Sequence, residues 1–139
     1  MDWPLIEQKL ESLRRSILRV KEKCPVTAAA FGNDLDAQDI LALNLTRAVQ
    51  MCVDIGTHII AGSEFPPPAT MGKTFDILCE AGIISADLAD RMKKAVGFRN
   101  IAVHNYETIN WVIVFAIATA HLQDFEEFAS AVARLADTQ

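Results

Sequence analysis

Residues 36–62 read DAQDILALNLTRAVQMCVDIGTHIIAG, and apolar side chains recur along this stretch at every third or fourth position. That spacing is the period of an α-helix packed against a core. Asp36 has a side chain suited to a helix N-cap, and Gly62 is a residue type that commonly follows a helix end. We therefore predict a long helix from Asp36 to about Ala61. No segment of the chain alternates with a period of two, so no β-sheet is expected.

The rest of the chain predicts four further helices with short connections. They are a first helix that Asp2 caps and Cys24-Pro25 ends, a short one from about Thr74 to Ala81 that Gly82 stops, one that Ser85 caps, and a last one from about Ile109 to Leu135. Residues 25–35 are predicted to form a loop, and Pro66-Pro67-Pro68 a stiff one. The predicted fold class is all-α: an up-and-down bundle of four longer helices with one extra short helix, in a single domain over residues 1–139.

The composition is that of a folded chain with more apolar surface than one small core hides. Hydrophobic residues make up 51% of the 139 residues, and the mean hydropathy is +0.19. Such an excess is typical of a protein that a second copy or a partner covers. Cys24, Cys52 and Cys79 form no C-x-x-C pair, which favours free thiols over disulfides or a zinc clamp. No signal peptide or membrane span is recognisable, so we expect a soluble, cytoplasmic protein without a membrane partner.

The net charge of −5 argues against a broad basic surface that coats nucleic acid. Any contact with such a polyanion must therefore be local. Residues 91–100 offer one place, because they contain no acid and four basic residues, Arg91, Lys93, Lys94 and Arg99. Arg91 and Lys94 fit equally well on a solvated helix face, which is the usual place of a charge run.

Several catalytic motifs are absent. The chain contains no P-loop, no dinucleotide-binding G-x-G-x-x-G, no H-E-x-x-H and no G-x-S-x-G. His58, His104 and His121 do not stand at metal-binding spacings from one another or from the cysteines. We therefore expect neither a metal ion nor a cofactor.

A polar stripe interrupts the long apolar helix at spacings of three and four residues, and its members are Arg47, Gln50, Asp54 and His58. The stripe is either the solvated back of the bundle or a polar seam that faces a site or a second subunit. For His58, a hydrogen-bonded structural role is favoured over catalysis.

The segment Gly97-Phe98-Arg99-Asn100, followed by His104 and Tyr106, resembles the R-x-x-x-x-H-x-Y signature of the HEPN superfamily, and specifically of its HepT-like toxins. The resemblance extends over essentially the whole chain and includes the stripe of Arg47, Gln50 and Asp54. It implies a metal-independent endoribonuclease, the toxin of a type VII-like toxin–antitoxin system. It also implies a homodimer in which two motifs face each other, and a nucleotidyltransferase antitoxin of the MntA type that attaches AMP to Tyr106.

The residue types of this motif suit RNA cleavage. His104 exchanges protons near neutral pH, so it is the candidate general acid or base. Arg99 offers a planar fork of donors that matches phosphate oxygens and would stabilise a phosphorane. The 2′-hydroxyl of RNA already lies beside its phosphate, so attack needs no metal, and the products would be a 2′,3′-cyclic phosphate and a 5′-hydroxyl. The structural alternatives are a helix-terminal histidine, a surface arginine and a rim tyrosine.

Helix geometry places these side chains unevenly. Five residues turn about 140°, so Arg99 and His104 of one chain do not share a face. Asn100 and His104 align at i and i+4, so Asn100 is a third candidate catalytic residue, which would orient the imidazole. Tyr106 would lie on nearly the same face as Arg99 if the helix stayed regular. Two other functions stay open: a non-catalytic nucleotide- or substrate-binding subunit of a nucleotidyltransferase complex, and a structural helical dimer without a ligand.

Overall fold

The computed structural model describes residues 1–139, and all of its regular structure is helical. Its elements are α1 (Trp3–Lys23), α2 (Ala28–Gly32), α3 (Leu35–Ala61), α4 (Met71–Glu80), α5 (Ala86–His104), a 3₁₀ turn (Tyr106–Thr108), α6 (Trp111–Ala120) and α7 (Leu122–Asp137). The all-α prediction is confirmed, but the predicted number of helices is wrong. None of these helices is both long and apolar enough to cross a lipid bilayer.

Helix α3 is the centre of the bundle, since it contacts each of the other six α-helices. About half of its residues are buried, and the apolar side chains among them belong to one core cluster of 31 buried apolar side chains. The predicted cap, Asp36, is wrong. Asp34 caps the helix by accepting the N–H of Ala37 at 3.0 Å, and Asp36 lies in the first turn, where its charge complements the helix dipole. Residue type alone does not decide which of these two aspartates, two residues apart, is the N-cap.

Two short elements also differ from the prediction. Residues predicted to be a loop contain α2, which begins because the Thr27 hydroxyl accepts the N–H of Ala30 at 3.1 Å. Helix α4 begins earlier than predicted, since Thr70 caps it. The predicted stop after it is confirmed: Gly82 has a φ of 76°, a left-handed conformation that favours glycine.

The predicted last helix is broken at His121 into α6 and α7, so a single helix from Ile109 to Leu135 is wrong. The Thr119 hydroxyl donates to the carbonyl of Phe115 at 2.8 Å, and such bonds to the residue four back compete with the helical ladder and bend helices. The carbonyl of His121 then accepts the N–H of Asp124 over a tighter turn.

Arg91 joins α5 to α7. Its guanidinium donates to Asp124, which is buried, and to Glu127 at 2.9 Å, and it lies 3.3 Å from Asp87 on its own helix. Carboxylates from two helices therefore neutralise Arg91, the first of the four basic residues between positions 91 and 100. Lys93 is also paired, with Asp76 of α4 at 2.9 Å.

Candidate active site

Helix α5 carries three of the predicted site residues on its last turns. It stays helical through His104, and Asn105 ends it with φ −152° and ψ 59° while donating its N–H to the carbonyl of Ile101 at 2.8 Å. Because the helix is regular from Arg99 to His104, their side chains diverge by about 140°. Arg99 is half-buried and His104 is exposed.

Arg99 has donors with no protein partner. Its Nη1 donates to Oδ1 of Asn100 at 3.1 Å, but its Nε is buried and unpaired, and no carboxylate forms an ion pair with it. Lys94, also without an ion pair, is exposed five residues earlier on the same helix. A buried N–H normally has an acceptor, and an anionic oxygen is the acceptor that a guanidinium binds most strongly.

The predicted pairing of Asn100 with His104 is wrong. The Asn100 side chain accepts from Arg99, its neighbour in sequence, and forms no hydrogen bond with the imidazole. The His104 side chain itself forms no hydrogen bond in this chain and lies in the last turn of α5, where a protonated imidazole complements the helix dipole. Both ring nitrogens therefore remain available to a substrate.

Tyr106 lies outside α5, in the 3₁₀ turn, so the prediction that it shares a helical face with Arg99 is wrong. The cause is the helix end at His104, which lets the chain change direction at Asn105. The Tyr106 hydroxyl donates to Oδ1 of Asp39 on α3. The ring packs edge-to-face on Trp111, with centroids 5.7 Å apart.

Trp111 connects this tyrosine to the core. Its ring lies edge-on to the buried Phe31 of α2, with centroids 5.9 Å apart. Burial, together with the hydrogen bond to Asp39 and the charge of that carboxylate, raises the pKa of Tyr106 to about 12. The phenol therefore keeps its proton to a higher pH than an ordinary tyrosine does.

Asp39 is a residue that the sequence reasoning missed, although a signal was present. It stands eleven residues before Gln50, which is close to three helical turns, so both project from nearly the same side of α3. The exposed Leu43 interrupts the stripe between them. Extending the stripe of Arg47, Gln50 and Asp54 toward the N-terminus of α3 would have included Asp39.

The predicted stripe does not hydrogen-bond to the motif. Gln50 donates to Oδ1 of Asp54 at 2.9 Å, and Asp54 pairs with Lys9 of α1 at 3.6 Å. Arg47 is exposed and has no ion pair, and His58 is half-buried without the hydrogen bond that a structural role would provide. Gln50 and Asp54 therefore form a half-buried polar seam next to α1, whereas Arg47 faces solvent.

An apolar groove of about 560 Å³ lies between α5, α6 and α7. Gly97, Phe98 and Ile101 line it on one side, and Ile113 and Ile117 on the other. Large apolar side chains are exposed in this region: Ile101 at 46%, Val103 at 48%, Val112 at 73% and Ile113 at 52%. Ile101 and Val103 stand between Arg99 and His104 in the chain. Part of the apolar surface predicted from composition therefore lies next to the motif, and other exposed apolar side chains, such as Val26 and Leu35, lie elsewhere.

No three histidine, cysteine or acidic side chains come together as metal ligands. The candidate nuclease groups are one guanidinium, one amide and one imidazole on α5, and the Tyr106 phenol with its Asp39 carboxylate forms a separate pair that hydrogen-bonds to none of them. These groups can bind an anion, transfer a proton and present a hydroxyl nucleophile.

The helical arrangement and the positions of Arg99, His104 and Tyr106 around the end of α5 define a protein of the HEPN type. The family model of HepT-like ribonucleases matches residues 13–132, and the chain belongs to this family.

Two relatives and one solved structure each match most of this chain. The mRNA nuclease HepT of Shewanella oneidensis is 34% identical over 128 residues, which are 92% of this chain and 96% of the relative. The tRNA nuclease HepT of Aphanizomenon flos-aquae is 26% identical over 121 residues, which are 87% of this chain and 82% of the relative. The structure of a tri-AMPylated Shewanella oneidensis HEPN toxin in complex with MNT antitoxin superposes with a TM-score of 0.87 at 34% identity, covering 93% of this chain and 96% of that one.

Proposed function

We propose that this chain is the ribonuclease toxin of a type VII-like toxin–antitoxin pair and that it cleaves RNA without a metal ion. The observation that carries the proposal is the buried, unpaired Nε of Arg99 on the same helix end as the exposed His104. Membership of the HepT-like family, with relatives named as mRNA and tRNA nucleases, supports the same activity.

In this mechanism His104 removes the proton of the 2′-hydroxyl or protonates the leaving 5′-oxygen. Arg99 donates to the equatorial oxygens as negative charge accumulates on the phosphorane, a contribution that is stronger in the transition state than in the ground state. Asn100 holds the guanidinium plane through its Oδ1. The substrate supplies the nucleophile, so the protein needs only to position the RNA, to transfer a proton and to stabilise the negative charge of the phosphorane.

A second copy completes the site in this proposal. Arg99 and His104 of one chain diverge around α5, so two chains that meet along the groove beside Ile101 and Ile113 would bring two motifs into one cleft. The exposed apolar side chains of this face support such a homodimer. A closed two-fold pair uses the same patch on both partners.

The proposed regulation acts on Tyr106. A nucleotidyltransferase antitoxin of the MntA type transfers AMP to the phenol, and the added phosphodiester introduces negative charge at the rim of the site, where it competes with RNA phosphate for Arg99. The AMPylated relative in complex with its antitoxin supports this step.

The test compares purified His104→Ala and Arg99→Ala with the wild type. Each substitution should lower the rate of RNA cleavage by at least ~10²-fold, the usual contribution of a proton-transfer group or an oxyanion donor, with little change in melting temperature. Arg15→Ala removes an exposed, unpaired charge of α1 and serves as the control. The mapped products should carry 2′,3′-cyclic phosphate and 5′-hydroxyl ends.

Cleavage that survives His104→Ala, or that requires added divalent metal, contradicts the proposed mechanism. A wild type that neither inhibits growth nor cleaves RNA would favour the nucleotide-binding subunit instead.

A further inference from the structure

The Tyr106 hydroxyl has one hydrogen-bond partner in this chain, the carboxylate of Asp39 on α3, 67 residues away in sequence. Both side chains reach solvent: Tyr106 is 39% exposed and Asp39 is exposed. Tyr106 is also the chain's only tyrosine. A carboxylate aimed at a phenol oxygen is the arrangement of a nucleophile and its base.

We propose that Asp39 is the general base that accepts the Tyr106 proton when this tyrosine is adenylylated. The inference rests on the proposed regulation and adds a catalytic group that the toxin itself supplies. The acceptor protein, and not only the nucleotidyltransferase, then contributes to the chemistry of its own silencing.

The bond changes balance without any redox partner. The phenol oxygen of Tyr106 attacks the α-phosphorus of a nucleoside triphosphate, and an oxygen–phosphorus bond forms. The bond from that phosphorus to the oxygen bridging to the β-phosphate breaks, and pyrophosphate leaves with the electron pair. The phenol proton passes to the Asp39 carboxylate, because the phenol oxygen becomes strongly acidic as its bond to phosphorus forms. The partner enzyme supplies the triphosphate and its magnesium ion.

Three features of the structure favour this role over a merely structural hydrogen bond. Trp111 packs on the ring at 5.7 Å and holds it in place, so the hydroxyl direction is defined by ring packing as well as by Asp39. Asp39 forms no ion pair with a basic residue, so its carboxylate is available to the phenol alone. The 3₁₀ turn around Tyr106 lies at the surface, where a second protein can reach it.

The experiment measures AMP incorporation by mass spectrometry under single-turnover conditions, with the cognate nucleotidyltransferase, saturating ATP and magnesium. Asp39→Asn keeps the shape of the side chain but removes the base, and it should slow incorporation at saturating ATP by about 100-fold or more. Repeating the measurement over a range of ATP concentrations should give the same half-saturating concentration as for the wild type. Asp39→Glu should recover part of the rate. Asp36→Asn, which removes another exposed carboxylate of the same helix, should leave the rate unchanged. Tyr106→Phe should take up no AMP.

RNA cleavage by unmodified Asp39→Asn separates the two proposals. Asp39 hydrogen-bonds to neither Arg99 nor His104, so this variant should cleave RNA as the wild type does and should escape silencing. AMP uptake by Asp39→Asn at the wild-type rate overturns the role of Asp39 and leaves the ribonuclease proposal intact. A wild type that takes up no AMP overturns the regulation and this inference together. Loss of RNA cleavage in a folded Asp39→Asn places Asp39 in the nuclease site and overturns the separate role.

Discussion

At the scale of single residues, the least expected feature is the surroundings of Tyr106. A tyrosine that follows a helix end would ordinarily be a flexible rim residue, yet this one donates to Asp39 and packs on Trp111. The pair of contacts joins three elements, since Asp39 belongs to α3, Tyr106 to the 3₁₀ turn and Trp111 to α6. The phenol is thereby presented in one defined orientation.

The titration of Tyr106 can be read directly, because it is the chain's only tyrosine. The ultraviolet absorbance of the phenolate should give a pKa of about 12 in the folded protein and about 10 in denaturant. Between these two pH values the folded state keeps a proton that the unfolded state has lost. Stability should therefore fall as pH rises through this interval, and the contribution should be fully present below it.

Asp39→Asn should lower the folded pKa of Tyr106 and still leave it above the denatured value, because burial is the largest cause of the shift. Asp36→Asn is the matched control and should leave the titration unchanged. An Asp39→Asn titration identical to that of the wild type would show that the two side chains do not interact in solution.

At the scale of elements, α3 and α4 approach closely at a glycine. A Cβ added to Gly56 would lie 2.6 Å from Cγ2 of Thr74 and 3.1 Å from Cδ1 of Leu78, and both neighbours are buried. Thr74 is β-branched and has little freedom to move aside. The small residue therefore determines how near α4 can come to the central helix.

Gly56→Ala should destabilise the fold by about 1–3 kcal/mol, the usual cost of overpacking. Gly32→Ala is the matched control, since a Cβ there meets nothing within 4 Å, and it should be neutral or stabilise by up to about 1 kcal/mol. Urea unfolding at one protein concentration measures both changes. Equal stability of the two variants would mean that α4 is not packed against α3 as described.

At the scale of the whole molecule, the proposed homodimer leads to a prediction about the groove between α5, α6 and α7. Ile113→Asp places a charge in the groove, where a second copy would have to desolvate it, so the variant should be monomeric in light scattering and should lose RNA cleavage. Val26→Asp is the control: Val26 is 97% exposed and does not line the groove, so both dimer and activity should persist. An Ile113→Asp monomer with full activity would rule out a site shared between two chains.

The sequence by itself determined the features that depend on neighbours within one or two helical turns. Apolar periodicity and local caps predicted α1, most of α3 and the Ser85 cap of α5, because helical hydrogen bonds and caps join residues three or four apart. The motif from Arg99 to Tyr106 was recognisable for the same reason, since its members are neighbours in the chain.

Only the tertiary structure decided which distant side chains meet. Arg91 appeared available to a polyanion until α7 placed Asp124 and Glu127, 33 and 36 residues away, against it. Tyr106 acquired Asp39 from 67 residues away because α5 ends and the chain turns back toward α3. These pairings depend on how whole helices pack. The free energy of that packing comes from the burial of apolar surface, which has no preferred direction. The spacing of residues along the chain therefore does not predict which polar side chains the packing brings together.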